Sequence, residues 1–483
     1  MPQRQSPAAI FIILWSTSLK LLKGFWPVLV LYLFKDEKDE NSLSILAIIV
    51  VFCLISLVGT VISYWFKTFY LSEGNLIIKS GWLKKETLSI PFANIQAVHL
   101  EQNVWQQALD VAKVSFDATG SEKVEVQLDA LAVGKAEDLK NLLMDNKTSG
   151  EEPHSENPSP QASVYNLKFK DLIKLSLTAN HLEAFLILVA VGFNLLEEIK
   201  QIFDFDEQDY INTYARELSQ TAYLVCVLLL GVAVISLLFS IARTVIKFFD
   251  FKLTDSGKDW KIAFGLFNRE QKTIPLNKVQ ILNWKASWLR RKFDYWIMHI
   301  QVVGNNDKNV KKHIQIPILS FSELLKLSDS YQTFTGFRHE DANKIQPEYW
   351  KRKALTIGLP FSIISMLISW YWIGWWAAGF ILILIYVTAF YYKAWKNFRW
   401  ETPAEGIQLL SGAWGRKYTL LNWKKIQQVH IRQSIYQRNH QLADVLFITA
   451  GGKILLPYIA LSTATALVDY VVYYVESKNE NWM

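Results

Sequence analysis

Gly412-Ala413-Trp414 … Leu421-Asn422-Trp423 … Ile426-Gln427-Gln428-Val429 decides the fold, because the chain writes this stretch three times. The first copy reads Gly81-Trp82-Leu83 … Ile90-Pro91-Phe92 … Ile95-Gln96-Ala97-Val98. The second reads Gly265-Leu266-Phe267 … Ile274-Pro275-Leu276 … Val279-Gln280-Ile281-Leu282. In every copy the Ile or Val lies 14 residues after the Gly and the Gln 15 after it. A register kept three times means one small β-rich module used repeatedly. A long apolar stretch precedes each copy, so the repeating unit is a membrane anchor followed by a polar domain.

The bulk numbers agree. A chain of 483 residues is too long for one core, and about three domains is the prior. Half of it is hydrophobic, and its 19 Trp are more than a soluble protein usually carries. Aromatics gather at the ends of apolar runs, as in Trp370-Tyr371-Trp372 and Tyr391-Tyr392, where rings suit the headgroup layer. The formal charge of +7 fits membrane-flanking Lys and Arg better than nucleic-acid binding, for which no dense basic stripe exists. Cys53 and Cys226 both fall in apolar runs and offer no disulfide framework. The N-terminus lacks a cleavable leader pattern and is expected to be retained.

Leu43 to Phe66 is 24 residues without a charge, and Ala222 to Ala242 is 21. Each can cross about 30 Å of hydrocarbon at 1.5 Å per residue. Ala354 to Tyr392 runs 39 residues uncharged and is divided near Gly374 into two helices. Two further spans carry polar groups: Ile10–Phe34 holds Lys20 and Lys23, and Leu175–Leu196 holds His181, Glu183 and Asn194. For Ser6–Lys23 and Leu167–Asn180, helical periodicity permits an amphipathic helix in the headgroup layer, and equally a long span with snorkelling lysines. Pro27 and Pro360 are either kinks or helix starts. The loops Lys35–Asn41 and Glu197–Gln220 are acidic, the latter with seven acids against Lys200 and Arg216. The opposite flanks hold Lys67, Arg243, Lys247, Lys393, Lys396 and Arg399. Positive flanks face the cytoplasm. The expectation is therefore six spans, with the N-terminus and all three modules on the cytoplasmic side of a bacterial membrane.

Within copy three, Gln427–Ile431 alternates, Val445–Ala450 reads as a strand, Gly451-Gly452 as a hairpin turn and Lys453–Leu456 as the returning strand. Leu461–Val475 then has helical spacing. Copy one offers Val111–Phe116, a Thr119-Gly120 turn, Lys123–Leu128 and a helical Ala136–Met144. Copy two offers Trp296–Val303, a Gly304–Lys308 turn, Lys311–Ile316 and a helical Phe321–Ser328. Short strands closed by a helix predict a curled sheet plugged by that helix.

Ile426-Gln427-Gln428-Val429-His430-Ile431-Arg432-Gln433-Ser434, with Ala443-Asp444-Val445 and Ile448-Thr449-Ala450-Gly451-Gly452, resembles the second type of bacterial pleckstrin-homology-like domain. Copy one matches well through Ile95–Gln102. Copy two matches less, with Asn283-Trp284 in place of His-Ile or His-Leu. A glycine expected before the next strand is missing from all three. The whole layout resembles bacterial membrane proteins of the YdbS/YdbT type. The resemblance implies the pleckstrin-like fold and no particular ligand or reaction.

The fold class expected is thus an α+β membrane protein: six transmembrane helices in three pairs, each pair followed by a pleckstrin-like curled sheet or barrel with a C-terminal helix. The boundaries expected are a first hairpin at 1–66, a module at 67–145, a Pro/Ser/Glu/Asn-rich flexible linker at 146–166 and a second hairpin at 167–246. A second module at 247–335, a linker at 336–353, a third hairpin at 354–394 and a third module at 395–483 complete the chain.

The sequence offers little catalytic chemistry. His-Glu-x-x-His, Gly-x-Ser-x-Gly and a zinc-spaced Cys pair are all absent from it. Gly451-Gly452-Lys453 is a hairpin turn before it is a phosphate loop. No enzyme, cofactor or metal is expected. His99 and His430 share a register and are either contacts to a partner or solvent-facing strand residues. Lys84, Lys85, Arg290, Arg291, Lys292, Arg416, Lys417, Lys424 and Lys425 are candidate contacts to anionic headgroups or a partner, or an ordinary solvated face. Lys23, Glu183 and Asn194 are the polar candidates in or beside the membrane. The expectation is a non-enzymatic protein whose modules dock a related membrane protein or another copy, with membrane lipids as the surroundings and no nucleic acid. The alternative is an accessory of transport, export or resistance to membrane-active peptides.

Overall fold

The computed structural model describes residues 2–33, 40–118, 126–145, 163–178, 185–187, 189–190, 218–257, 259–302, 314–332 and 342–477. The described chain forms two units. One holds Met1–Asn166 with Ile246–Pro275, and the other holds Leu167–Val245 with Leu276–Met483. The division falls inside the second repeat, at the step from its first sheet to its second.

In the first unit, β1 (Gln3–Arg4), β2 (Thr68–Ser72), β3 (Asn75–Ser80) and β4 (Glu86–Pro91) form one antiparallel sheet in that order. A 3-10 turn at Phe92–Asn94 leads into β5 (Ile95–Gln102), which pairs with β6 (Val111–Ala118), and β6 with β7 (Val126–Ala132). Helix Val133–Asp145 follows. Leu76, Ile78 and Ile90 from the first sheet, Val98, Leu100, Val114, Phe116 and Leu128 from the second, and Ala136, Leu139 and Leu143 of the helix share one buried core. Strand alternation and the helical spacing of its apolar positions send those residues inward.

The same unit contains β8 (Ser163–Asn166), β9 (Lys252–Asp255), β10 (Asp259–Phe264) and β11 (Arg269–Pro275), again in chain order across the sheet. Ser163–Asn166 falls where the composition predicts flexible linker. It is instead a strand, with Tyr165 opposite Leu253 and Asn166 opposite Lys252. The module boundary at residue 67 needs the same correction, since Gln3 and Arg4 pair with Phe69 and Thr68. In both repeats a segment before the long apolar helix nearest the sheet completes that sheet.

The second unit repeats the scheme. β12 (Val279–Ala286), β13 (Trp296–Val302) and β14 (Ile314–Leu319) are followed by helix Phe321–Asp329. β15 (Arg399–Glu401), β16 (Gly406–Ser411) and β17 (Arg416–Asn422) form the first sheet of the third module. Here Asn343 bridges Trp400, each backbone N–H donating to the other's carbonyl at 3.0 Å, in the place that β1 and β8 hold in the earlier repeats. β18 (Ile426–Arg432), β19 (Leu442–Thr449) and β20 (Gly452–Ala460) make the last sheet, and helix Leu461–Ser477 buries Ala464, Leu467 and Val471 against it.

Five described helices are long and apolar enough to cross a membrane: Ala8–Pro27, Ile49–Phe66, Leu230–Lys247, Glu348–Tyr371 and Ala377–Asn397. Phe52, Ile55, Leu367 and Ile368 stand exposed on them, an arrangement that water penalises and lipid does not. Most of the expected Leu175–Leu196 span lies outside the described residues. Pro27 sits inside the continuous helix Ala8–Leu33. Pro360 follows a π-helical stretch at Ala354–Gly358, which accommodates the proline's missing N–H. Gly374, with φ +54°, makes the expected break in the third hairpin.

The glycines that mark the repeat are conformationally required. Gly81, Gly265 and Gly412 have φ of +89°, +108° and +123°, and a Cβ on each would strike the carbonyl oxygen of Lys84, Asn268 or Gly415. The glycine expected before the next strand is replaced by Asp110, Asp294 and Gln441, which adopt the left-handed conformation themselves at φ +50°, +54° and +53°.

Candidate functional site

The sheets of successive repeats run into one another. β5 of the first repeat pairs with β11 of the second, placing Gln102 opposite Arg269, Glu101 opposite Glu270 and Leu100 opposite Gln271. β12 of the second pairs with β17 of the third, from Ile281 opposite Leu421 to Ala286 opposite Arg416. The two seams share one register. Gln102 and Ala286 both lie seven residues into their strands, and Arg269 and Arg416 both lie four after the repeat glycine.

The longer seam is well packed. Trp284 is fully buried and stacks on Tyr418 at 5.7 Å, and Tyr418 also meets Trp296 and Phe321. Thr419 Oγ1 donates to Asn283 Oδ1 at 2.7 Å. Tyr331 donates its hydroxyl to Gln280 O at 2.7 Å and accepts from Asn422 N at 3.3 Å, and burial raises its pKa above the usual phenol range. A Cβ on Gly415 would overlap Ala286 O, so the turn of the third repeat lies directly on the end of β12. In the shorter seam, Gln107 Nε2 donates to Leu266 O at 3.2 Å and Phe267 O at 3.3 Å, which is the matching turn of the second repeat.

A one-turn helix after β5, β12 and β18 (Val104–Ala108, Trp288–Lys292 and Ile435–Asn439) ties each module to a helical segment earlier in its own repeat. Asn103 with Gln106, and Ser434 with Gln437, form capping boxes legible in the sequence. In the first repeat Trp105 meets Trp15 at 5.2 Å and Phe11 at 6.2 Å. In the second, Arg290 Nε donates to Thr178 Oγ1 at 3.2 Å. In the third, the Arg352 guanidinium lies 4.9 Å from the Tyr436 ring and donates to Ser434 Oγ.

The candidate residues separate accordingly. Arg290, expected to face a headgroup or partner, is turned onto Thr178, and burial lowers its pKa. Arg291 and Lys292 beside it are exposed. Lys84 and Lys85 are exposed, and Lys84 pairs with Glu86 at 3.1 Å. Arg416 and Lys417 belong to the longer seam, where Lys417 stands opposite Lys285. Burial, then Lys285, lowers the Lys417 pKa. Lys417 and Lys453, with Asn283, Gln301, Ser411 and Thr419, also border a cavity of about 140 Å³. Lys424 is exposed, while Lys425 donates to Asn277 O, and burial, then Lys424, lowers its pKa. His99 is half-buried opposite Ser115, and His430 is exposed with Nε2 3.2 Å from Gln428 Oε1. Lys23 is exposed on its helix, and Glu183 and Asn194 lie outside the described residues. Among the described residues no cluster of His, Cys, Asp or Glu is suited to a metal ion.

Seams, hairpins and a threefold module define a class: a transmembrane protein whose polar domains are strung together strand to strand. The chain belongs to the bacterial PH domain family, whose model matches residues 11–147, 198–335 and 354–475. Each match takes in apolar helix as well as sheet. The UPF0699 transmembrane protein YdbT of Bacillus subtilis (strain 168) is 22% identical over 459 residues, covering 92% of both chains. No solved structure matches.

Proposed function

We propose that this protein is a non-enzymatic assembly element of a bacterial cytoplasmic membrane, whose three PH-like modules dock a related membrane protein or another copy. The observation that carries this reading is the pair of inter-repeat seams, in which one module's sheet is completed by an edge strand of the next. Strand addition of this kind is a general mode of protein recognition.

The fold is read as six spans in three pairs, each followed by a module closed by its C-terminal helix. β8 and β9 are neighbours in one sheet, so the chain between them returns to the side it left. Leu230–Lys247 is one candidate crossing, and the apolar run expected at Leu175–Leu196 is the reading's second. The Lys and Arg on the module side support a cytoplasmic location for the modules and the N-terminus. Exposed Lys84, Lys85, Arg291, Lys292 and Lys424 supply contacts to anionic headgroups, each worth about 1 kcal/mol near a charged leaflet.

Crosslinking in intact membranes, followed by affinity purification of the tagged chain, tests the reading. A reproducible partner, or a defined oligomer, is the expected result. A monodisperse monomer with no partner overturns it.

A further inference from the structure

The two internal seams use one edge of the first module, both edges of the second and one of the third, and among the described residues they leave two matching edges over. β5 and β12 are covered on their outer flank by the next repeat. β18, which holds the same place in the third repeat, ends its sheet among the described residues. β11 and β17 likewise pair outward, whereas β4, their counterpart in the first repeat, ends its own sheet among the described residues.

Burial follows coverage. β12, paired over six residues, is buried at every position but Lys285. β18 buries only Ile426 and leaves Gln427, Gln428, His430, Ile431 and Arg432 exposed. β4 exposes Glu86, Thr87, Leu88 and Ser89. An open strand edge is a template for pairing with another chain.

We infer that β18 of one copy pairs antiparallel with β4 of a second copy, in the register already used twice inside the chain. This deepens the docking role proposed above and rests on it. The shared register sets Gln433 opposite Lys85, Arg432 opposite Glu86, His430 opposite Leu88 and Gln428 opposite Ile90. Lys85 holds the place of Arg269 and Arg416, the basic residues that begin the two internal seams.

Charge favours this match. At the position of Arg432 and Glu86 the internal seams place like charges together, Glu101 opposite Glu270 and Lys285 opposite Lys417. Of the three pairings, only that of the two free edges brings opposite charges face to face there, and directly opposed pairs of that kind stabilise a sheet. The turn beside β4 also presents Trp82 and Leu83, both exposed, and the turn after β18 presents Ile435, 85% exposed. Gly265–Asn268 and Gly412–Gly415, the counterparts of the first turn, meet the preceding repeat at this end of the internal seams. Every copy carries one edge of each kind, so the contact is heterologous and propagates until it closes or the supply of copies ends.

The test uses full-length chains in membranes, with Cys53 and Cys226 replaced. One chain carries Arg432→Cys and one tag, and a co-expressed chain carries Glu86→Cys and another. Mild oxidation is expected to give a disulfide-linked pair bearing both tags. Its yield should be at least about five-fold above that of a register-shifted Arg432→Cys with Leu88→Cys control, because disulfide geometry tolerates little displacement. Arg432→Glu should lower assembly, and Glu86→Arg on the other chain should restore it. A yield no higher than the control overturns the inference, as does a chain given both Arg432→Cys and Glu86→Cys that links only within itself. If the Arg432→Cys chain instead links to a different protein, the second copy is the wrong occupant while the docking role stands. A monomer with no adduct removes both.

Discussion

Asn283 accepts a hydrogen bond from Thr419 Oγ1 at 2.7 Å, between strands of two different repeats, and both residues are buried. Asn283 holds the position occupied by His99 and His430 in the other copies. The residue by which the second copy departs from the shared pattern is thus the one that bonds the neighbouring repeat. Removing one partner of a buried pair leaves the other unsatisfied, at about 1–3 kcal/mol. Thr419→Val is expected to lower stability by that amount, read as an earlier unfolding transition in detergent. Paired Asn283→Leu, Thr419→Val should recover part of the loss.

Lys285 and Lys417 face each other across the same seam. Burial, then Lys285, lowers the pKa of Lys417 from the ordinary lysine value of 10.5. A lysine whose folded pKa is depressed is penalised while charged, fully so below the folded pKa. The penalty is relieved as pH rises from the folded value toward 10.5. Stability should therefore climb over that alkaline window. Lys285→Glu should raise stability at neutral pH and flatten the climb, in thermal unfolding measured as a function of pH.

Gln441 sits at φ +53°, where a side chain costs about 1 kcal/mol relative to glycine. Gln441→Gly should stabilise the third module by up to that amount. Limited proteolysis at rising denaturant checks it. A loss of stability would mean that the Gln441 side chain contributes more than its backbone costs.

Gly412 and Gly134 offer an internal contrast. A Cβ at Gly412 meets a carbonyl oxygen, while at Gly134, in a helix, it meets nothing within 4 Å. Gly412→Ala should destabilise by more than about 1 kcal/mol. Gly134→Ala should be neutral or stabilising by about 0.5–1 kcal/mol. Thermal unfolding of the two variants side by side distinguishes the positions.

Much of this architecture was legible in the sequence because it rests on local rules. Gly81, Gly265 and Gly412 marked the repeat, and the structure puts each in a turn whose backbone, in contact with a carbonyl, only glycine tolerates. Gly451-Gly452 announced the last hairpin, and the uncharged runs announced their helices. The seams were not legible. Pairing of β12 with β17 depends on residues far apart in the chain, and alternation marks a strand without naming its neighbour. Strands as short as Gln3–Arg4 and Ser163–Asn166 are fixed by the sheet they join, so the latter reads as linker. Arg290 reads as a headgroup or partner contact, or as part of a solvated face, because its basic neighbours hide that it holds the helix position of Gln106 and Gln437.

The bracketing of each hairpin by adjoining strands has a consequence for biogenesis. β1 and β2, β8 and β9, and Asn343 with Trp400 can join only when the intervening polypeptide has crossed the bilayer an even number of times. A helix that fails to insert strands one partner on the far face, and the sheet cannot close. Closure of each such sheet by backbone hydrogen bonds therefore depends on where the apolar helices between its strands come to lie.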